Sequence, residues 1–457
     1  MACPARGGAR RQPTGAAGLR YDRVVDPVSP EAALPDRSVP HGKRIGLLGL
    51  GTVGSAVAAR LLDPDWRANA TARGHVVPTL VAVAVRDLAR QRGLSLPDDV
   101  RLTDDIEAVA AADDVDIVVE LMGGTDAAAH AIRHAFTAGK RVVSANKELL
   151  ARQGRELEAA ARAAGVGLRF EAAVAAGVPV LGPLVWDLGA NRVTALRGII
   201  NGTTNHILST MAAEAREYDD VLREAQARGY AEADPSSDVE GMDAAYKLTL
   251  LARLAFDGWL DVDALRRTIP AFGTETRAGI VGVSRAHLSA AARLGLAIKL
   301  IARAERLPGG PLRAGVTLMA VSAASPLGAT SGVTNVVHFD ADPVGRVTMA
   351  GPGAGGPATA SAVLADVLVF ANSNASTWEQ LPPAAEMAVE DDLSTERGWL
   401  VVIEGLGVAG FTDSVRELAL ATTDEGFVSR PISLTSLTSR LGQLERPVHA
   451  YPILSDA

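Results

Sequence analysis

Residues 44–54 read Arg44-Ile45-Gly46-Leu47-Leu48-Gly49-Leu50-Gly51-Thr52-Val53-Gly54, and the fold class follows from them. Arg44 to Leu48 is a short apolar strand, and Ser55 to Leu62 predicts a helix. G-x-G-x-x-G therefore falls at a strand-to-helix junction, the context in which the pattern has physical meaning. Gly49 permits the tight turn, Gly51 lets a pyrophosphate approach the backbone, and Gly54 lets helix and strand pack closely. The competing reading is a glycine-rich turn in some other α/β domain, so the flanking segments have to decide.

Downstream, Leu80 to Val85 predicts a second strand that ends at Arg86-Asp87. An acid there would hold the ribose hydroxyls of NAD, whereas an arginine accepts the 2′-phosphate of NADP; with both present the reading leans to NADP. Val115 to Leu121 predicts another strand, closed by Met122-Gly123-Gly124, followed by a crossover helix from Ala127 to Gly139. Arg141-Val142-Val143 runs into Ser144-Ala145-Asn146-Lys147. Ligands of open α/β sheets collect at the carboxyl ends of strands, which makes Lys147 a candidate active-site charge rather than only a surface lysine. Leu168 to Glu171 reads as one more strand before the small-residue loop Ala172 to Pro179, and Val193 to Ile200 leads into the polar turn Asn201-Gly202-Thr203-Thr204-Asn205. Turn chemistry alone accounts for Asn-Gly.

Gly229 to Phe256 carries most of the charge that could do chemistry. Glu232, Asp234, Asp238, Glu240 and Asp243, with Asp257 just beyond, surround Lys247. Ser237 and Glu240 are spaced as a capping box, which predicts a helix starting near Asp238 with Leu248, Leu251, Ala252 and Ala255 on its buried stripe. Asp243 and Lys247 then share one helix face. Spacing alone leaves two readings open, a surface ion pair or a site.

Residues 261–345 alternate short helices with strands such as Val316 to Val321. The second glycine-rich segment, Gly351 to Pro357, precedes an apolar helix from Thr359 to Val369, so the chain returns to the nucleotide. Residues 372–397 read as a linker, and Trp399 to Ile453 pattern as strand, helix, strand, helix, strand. The resulting domain expectation is a disordered extension over residues 1–40, a nucleotide-binding domain over 41–170 completed by 346–372, and a catalytic and dimerisation domain over 171–345. A linker over 373–397 and a small module over 398–457 complete it. With 48% hydrophobic and 21% charged residues, the 457-residue chain can bury cores of that size. A net charge of −8 argues against nucleic acid, whose phosphates need a basic face. No apolar run approaches the roughly 20 residues of a membrane helix, and the amino-terminal segment has no apolar secretory core. The single Cys3 excludes an intrachain disulfide and a four-cysteine zinc site, and a reduced, cytoplasmic setting follows.

In order along residues 43–372, the segments GLGTVG, ELMGG (120–124), SANKELL (144–150), FEAAVAAGVPV (170–180), GIINGTTNHIL (198–208), GYAEADPSSDVEGMDAAYK (229–247) and GPGAG (351–355) resemble homoserine dehydrogenase. The resemblance implies a Rossmann-type nucleotide-binding domain joined to a mixed α/β catalytic and dimerisation domain, reducing L-aspartate 4-semialdehyde to L-homoserine with NADP or NAD. It implies Lys247 as general acid/base, Asp243 as its orienter, and Lys147 as a second cation touching both substrate and nicotinamide. Glu232 and Asp238 are implied for the substrate. For the cofactor it implies Gly49, Gly51, Thr52, Val53, Gly54, Arg86, Gly123, Ser144, Asn146, Lys147, Gly353 and Gly355. A monovalent cation, Na+, is implied at the backbone carbonyls of Glu171, Val174, Ala176 and Val178. A homodimer or homotetramer and a small α+β ACT-like tail complete the set, with L-homoserine and L-aspartate 4-semialdehyde as the small-molecule partners.

Departures from the family pattern are His206 for tyrosine, Ser144 for threonine and Ala176 for glycine, none of which removes a proposed catalytic group. Gly407 to Phe411 lacks the Asp-x-Pro-Gly ligand loop of ACT domains, which weakens the expectation of threonine feedback. The chemistry fits on its own terms, because hydride arriving at an aldehyde places negative charge on oxygen that an ammonium can stabilise and protonate. Two alternatives stay open: an oxidoreductase of another specificity on the same fold, and a non-catalytic nucleotide sensor.

Overall fold

The structure, a computed structural model, describes residues 43–454 apart from 309–310, 392, 394, 406–415, 443 and 445. The expected extension over residues 1–40, with Cys3, and the Gly407 to Phe411 loop lie outside the described residues.

β1 (Arg44–Leu48), β2 (Thr79–Ala84), β3 (Arg101–Thr103), β4 (Ile117–Glu120), β5 (Arg141–Ser144) and β6 (Leu168–Arg169) form one sheet in the order β3-β2-β1-β4-β5-β6. Every pairing in it is parallel. A parallel sheet is covered on both faces, and its strands are apolar on both. Ile45, Leu47 and Val119 face one core, while Leu48, Val118 and Val142 face the other. The first core is closed by Val57 and Leu61 of the helix Thr52–Leu62 and by Ala360, Val363 and Val367 of the helix Gly356–Asn372. The late glycine-rich segment thus brings the chain back onto the first sheet. The order reverses at β1 and β4, which opens a crevice at their carboxyl ends.

The remaining strands are β7 (Arg192–Ile199), β8 (Ala271–Phe272), β9 (Leu296–Arg306), β10 (Leu312–Ser322), β11 (Thr334–Asp342), β12 (Gly345–Pro352), β13 (Val389–Asp391), β14 (Trp399–Ile403), β15 (Ala419–Thr422), β16 (Gly426–Ser429) and β17 (Val448–Leu454). They build a mixed sheet ordered β12-β11-β7-β9-β10-β17-β14-β16-β15, with β13 on β10 and β8 on β17. The long antiparallel pair β9 and β10 is its centre, in register from Leu296 opposite Ser322 to Arg306 opposite Leu312. Against this sheet lies the helix Met242–Phe256, buried along nearly its whole length: Leu248, Leu250, Leu251, Leu254 and Phe256 pack into the core, and its charged Asp243, Lys247 and Arg253 are buried against partners of opposite charge.

Three expectations change. The predicted helix start near Asp238 is instead a short helix Ser236–Val239, a left-handed Gly241 at φ 81°, and a new helix from Met242. The Ser237–Glu240 capping box does not form, and the break rotates Asp243 into the first buried turn. Residues 372–397 are not a free connection: Leu168 N donates to Ser376 Oγ at 3.2 Å, Phe170 N donates to Thr377 Oγ1 at 3.3 Å, and β13 pairs with β10. Trp378 is 1% exposed and packs on Phe170 and Trp259 at ring separations of 5.3 and 6.5 Å. Trp378→Ala is expected to lower stability by about 3–5 kcal/mol, read as a shift in the urea midpoint; an unchanged midpoint would show that this segment carries no core.

In the tail, Thr423 to Gly426 turns the chain between β15 and β16, so two strands stand where one was expected. Leu437 and Leu441 of the helix Leu434–Leu441 pack on Trp399, Val401 and Phe427. β17 pairs with β14 on one side and, through Ile453 and Leu454, with β10 on the other, so the tail extends the central sheet. Among the described residues no helix is long and apolar enough to cross a membrane.

Candidate active site

Two helices deliver three charges to one point. Lys147 opens the helix Lys147–Ala164, whose N-cap Asn146 accepts from Leu149 N at 3.1 Å. A lysine at the positive end of a helix is locally unfavourable. Here Asp243 compensates: Lys147 Nζ lies 2.7 Å from its Oδ1, and Lys247 Nζ lies 2.7 Å from its Oδ2. Tyr246 holds the helices in register by donating its hydroxyl to Glu148 Oε1 at 3.0 Å.

The i,i+4 pair of Asp243 and Lys247 is not a surface ion pair, since the two side chains are 3% and 9% exposed. Lys247 also donates to Ile200 O at 2.8 Å. Burial lowers the Lys247 ammonium below its ordinary range, a trend Asp243 opposes and Lys147 reinforces. Lys147 is raised, first by the Asp243 charge, and its side chain remains 42% exposed toward the cleft. Burial alone would raise Asp243, but the two ammonium groups outweigh it and hold the carboxyl well below the carboxylate range. The arrangement keeps one cation firmly charged at the mouth and a second, more readily deprotonated one behind it.

Asn201 is the member that sequence reasoning missed. Its Nδ2 donates to Asp238 Oδ1 at 2.7 Å and to Asp243 Oδ2 at 2.9 Å, while its Oδ1 accepts from Thr204 N and Oγ1. The Asn-Gly turn reads as turn chemistry, and the segment GIINGTTNHIL that contains it assigns Asn201 no role. Asp238 is raised by burial first and by the Asp243 charge second. A cleft of about 580 Å³ opens over these groups, within the range of small-molecule sites. Lys147, Lys247, Asp238, Asp243 and Glu232 line it from the catalytic side, and Val53, Ala145 and Gly353 to Gly355 from the nucleotide side. Tyr230 forms part of the wall and packs edge-on against His206 at 4.9 Å.

The glycine turn fits a dinucleotide. Gly49 is at φ 100°, and a Cβ on Gly54 would stand 2.1 Å from Gly49 O, whereas a Cβ on Gly51 would meet nothing within 4 Å. Neither the helix starting at Thr52 nor the one starting at Gly356 has a side-chain cap, so their first N–H groups are available to an anion. Gly353 admits the close approach of Asn335, whose Oδ1 would lie 1.5 Å from a Cβ there. Arg86 and Gly123 are exposed at the carboxyl ends of β2 and β4.

Ser144, expected among the cofactor contacts, lies beneath the loop. It is fully buried and donates to Glu120 Oε2 at 2.6 Å, while its Oγ accepts from Asn146 N at 3.1 Å. Ser144 therefore shapes the loop rather than lining the cleft. Asn146 likewise spends its amide on Gly124 O at 2.7 Å, binding the β4 and β5 ends together. Glu120, which also accepts from Met122 N at 2.8 Å, is the buried anchor beneath both.

In the loop after β6, Ala175 and Ala176 hold left-handed backbone at φ 52° and 45°. Both Glu171 carboxylate oxygens are occupied by the N–H groups of Val180, Leu181 and Gly182. A cation at this loop would thus meet main-chain carbonyls rather than that side chain.

Residues 49–171 match the family described as homoserine dehydrogenase, NAD binding domain, and residues 179–368 match homoserine dehydrogenase. The homoserine dehydrogenase of Synechocystis sp. is 44% identical over 330 residues, 71% of this chain and 72% of the relative. That of Bacillus subtilis is 39% identical over 325 residues, again 71% and 72% of the two chains. Among solved structures, a homoserine dehydrogenase from Thiobacillus denitrificans aligns with a TM-score of 0.80 at 31% identity, covering 90% of this chain and 98% of the other. The S. aureus homoserine dehydrogenase at pH 8.5 aligns with a TM-score of 0.69 at 30% identity, with the same coverage.

Proposed function

We infer the roles of the cleft residues from one premise: the chain belongs to the homoserine dehydrogenase family, NAD(P)-dependent oxidoreductases that reversibly reduce L-aspartate 4-semialdehyde to L-homoserine in threonine, methionine and isoleucine biosynthesis. The observation that carries the assignment of roles is the single carboxylate of Asp243 shared by Lys147 and Lys247.

Lys247 is the general acid/base. Its lowered proton affinity suits it to give a proton to the nascent alkoxide in reduction and to take it from the homoserine hydroxyl in oxidation. When bound, the nicotinamide supplies or accepts the hydride. Lys147, held cationic by Asp243, stabilises negative charge on the substrate at the cleft mouth. Asp243 keeps both ammonium groups in place, and Asn201 keeps Asp243 in place. Glu232 meets the substrate ammonium from the exposed rim, and Asp238 forms the wall beside it. These fixed positions supply the orientation that hydride transfer needs.

Arg86 favours NADP by offering a guanidinium to the 2′-phosphate. Na+ at the carbonyls of Glu171, Val174, Ala176 and Val178 would stiffen the loop beneath the cleft. The tail is an ACT-like module, a reading supported by its β17-β14-β16-β15 sheet and the helix Leu434–Leu441 packed on it. The enzyme works in the cytoplasm as a homodimer or homotetramer.

The direct test is absorbance at the reduced-nicotinamide band during L-homoserine oxidation with NAD and NADP in parallel. No turnover with either cofactor, despite nucleotide binding, would sink the assigned roles. In the same assay Arg86→Ala is expected to raise the KM for NADP by about tenfold or more, the worth of a charged hydrogen bond, and to leave NAD unchanged. Equal changes for both cofactors would remove Arg86 from the 2′-phosphate.

A further inference from the structure

A second cluster lies outside the cleft, where the tail meets the catalytic part. His287 sits in the first turn of the helix Arg285–Arg293, which packs on β9; Glu404 follows β14; His449 lies on β17. These three residues are distant in sequence and come from three elements. Their ligand-type atoms nevertheless all lie within 4.8 Å of one another. His287 Nε2 is 3.6 Å from Glu404 Oε1, and His449 Nε2 is 3.8 Å from the same oxygen.

The separations are those of a coordination sphere slightly opened. Four-coordinate zinc with bonds of about 2.0–2.2 Å places its ligand atoms about 3.3–3.6 Å apart, so a small rotation of the Glu404 carboxylate brings it to both imidazoles, and the two rings adjust within the 4.8 Å that now contains all three ligand atoms. His287 is 0% exposed, and its Nε2 has no hydrogen-bond partner. A buried ring nitrogen without a partner is costly and needs an explanation. The neighbouring ring supplies none, since the His287 and His449 rings lie 4.4 Å apart at 47°, with both Nε2 atoms turned toward Glu404.

The other side of the His287 ring is already braced. Nδ1 lies 2.8 Å from the Tyr451 hydroxyl, and Ser284 N donates to it at a longer 3.3 Å. A metal at Nε2 requires the ring proton on Nδ1, which then donates to Tyr451 Oη in place of accepting the long contact from Ser284 N. A metal-bound histidine normally donates its other ring N–H in this way. A cavity of about 130 Å³, lined by Thr274, Glu275, Arg277, Glu404, His449 and Tyr451, adjoins the cluster and gives an entry path and room for a water.

We propose that His287, Glu404 and His449 form a binding site for a zinc-type divalent ion, completed by water, that fastens the tail's β14 and β17 to the helix Arg285–Arg293. Two imidazoles and one carboxylate suit zinc, whereas they do not suit magnesium or calcium, which prefer oxygen ligands. The site is independent of the roles proposed for Lys147, Asp243 and Lys247. Its effect is mechanical: β17 is the strand that joins the tail to β10, and the ion adds a cross-link beside that junction.

The test uses the full chain, freed of metal with a chelator and titrated with ZnCl2. Metal content after desalting, the Tm, and the visible spectrum with CoCl2 are the readouts. Glu404 is 49% exposed, so Glu404→Gln leaves the fold intact; His449→Gln removes the second ligand. The expected result is one equivalent of zinc per chain, a tetrahedral cobalt spectrum and a raised Tm, with all three lost in both variants. Tyr451→Phe, which removes the brace on His287, is expected to weaken binding by about 10–100-fold. The exposed cluster of Glu107, His130 and His134 is the competing site, so a His130→Ala, His134→Ala protein serves as the control. The proposal is overturned by no retained zinc, by zinc retained in Glu404→Gln and His449→Gln, or by zinc lost only in the control.

Discussion

Lys247→Ala is expected to lower kcat for homoserine oxidation by about 10²–10⁴-fold, the usual contribution of a positioned acid/base, while leaving nucleotide affinity unchanged. The variant is informative because Asp243 keeps a partner. With Lys247 gone, its buried carboxylate is still 2.7 Å from Lys147 Nζ and 2.9 Å from Asn201 Nδ2, so no isolated charge is left behind. Removing Asp243 instead would strand two cations, a loss of about 3–5 kcal/mol that would confuse instability with lost chemistry. The pH profile separates the roles further. Oxidation needs neutral Lys247 to accept the hydroxyl proton, so the rate rises with pH through its folded pKa, which burial places below the ordinary lysine range. That rising limb should vanish in Lys247→Ala. Wild-type turnover in the variant, or an unchanged limb, would move the acid/base role to another group.

Gly54→Ala and Gly51→Ala should fail in different ways. At Gly54 a Cβ would stand 2.1 Å from Gly49 O, a backbone atom of the very turn that has to receive the pyrophosphate. The turn or the helix Thr52–Leu62 must move, and overpacking of this kind costs about 1–3 kcal/mol. Both the Tm and nucleotide affinity should fall, the latter by about 10–100-fold if that strain is released in the nucleotide-free protein. At Gly51 a Cβ meets no protein atom within 4 Å, so the Tm should hold while nucleotide affinity falls. The contrast is read by calorimetry on each variant with and without NADP. A Gly54→Ala protein with native Tm and affinity would show that the close packing of this turn is dispensable, and tight binding by Gly51→Ala would place the pyrophosphate elsewhere.

Much of this was legible before any coordinates. Most of the first sheet could be read because β1, β2, β4 and β5 are apolar runs ending in glycine or a polar turn, and such runs report local backbone preference; the exposed edge strand β3, Arg101-Leu102-Thr103, carries no such run and could not be read. The long helix was legible for its apolar content, but its start was not. Ser237 and Glu240 carry a sound capping pattern, yet Gly241 adopts the left-handed conformation and begins the helix at Met242. Tertiary packing overrode a local signal worth about 1 kcal/mol. Ser144 illustrates the opposite limit. Its place in the motif is right, but only burial against Glu120 shows that it braces the loop from below.

By itself, then, the sequence determined the α/β class, the glycine turn that meets a dinucleotide, and the residue types able to move a proton and bind an amino acid. Those depend on periodicity and side-chain chemistry, which are local. Only the tertiary structure decided that Lys147, nearly a hundred residues before Asp243, completes the charge triad, and that Asn201 joins Asp238 to Asp243. It likewise decided that the segment after Asn372 is core rather than linker, and that His287, Glu404 and His449 converge. The reason is the same in each case. An ion pair, a buried ring contact or a ligand set is defined by distance in space, and chain spacing carries no record of which distant segments the two sheets bring together.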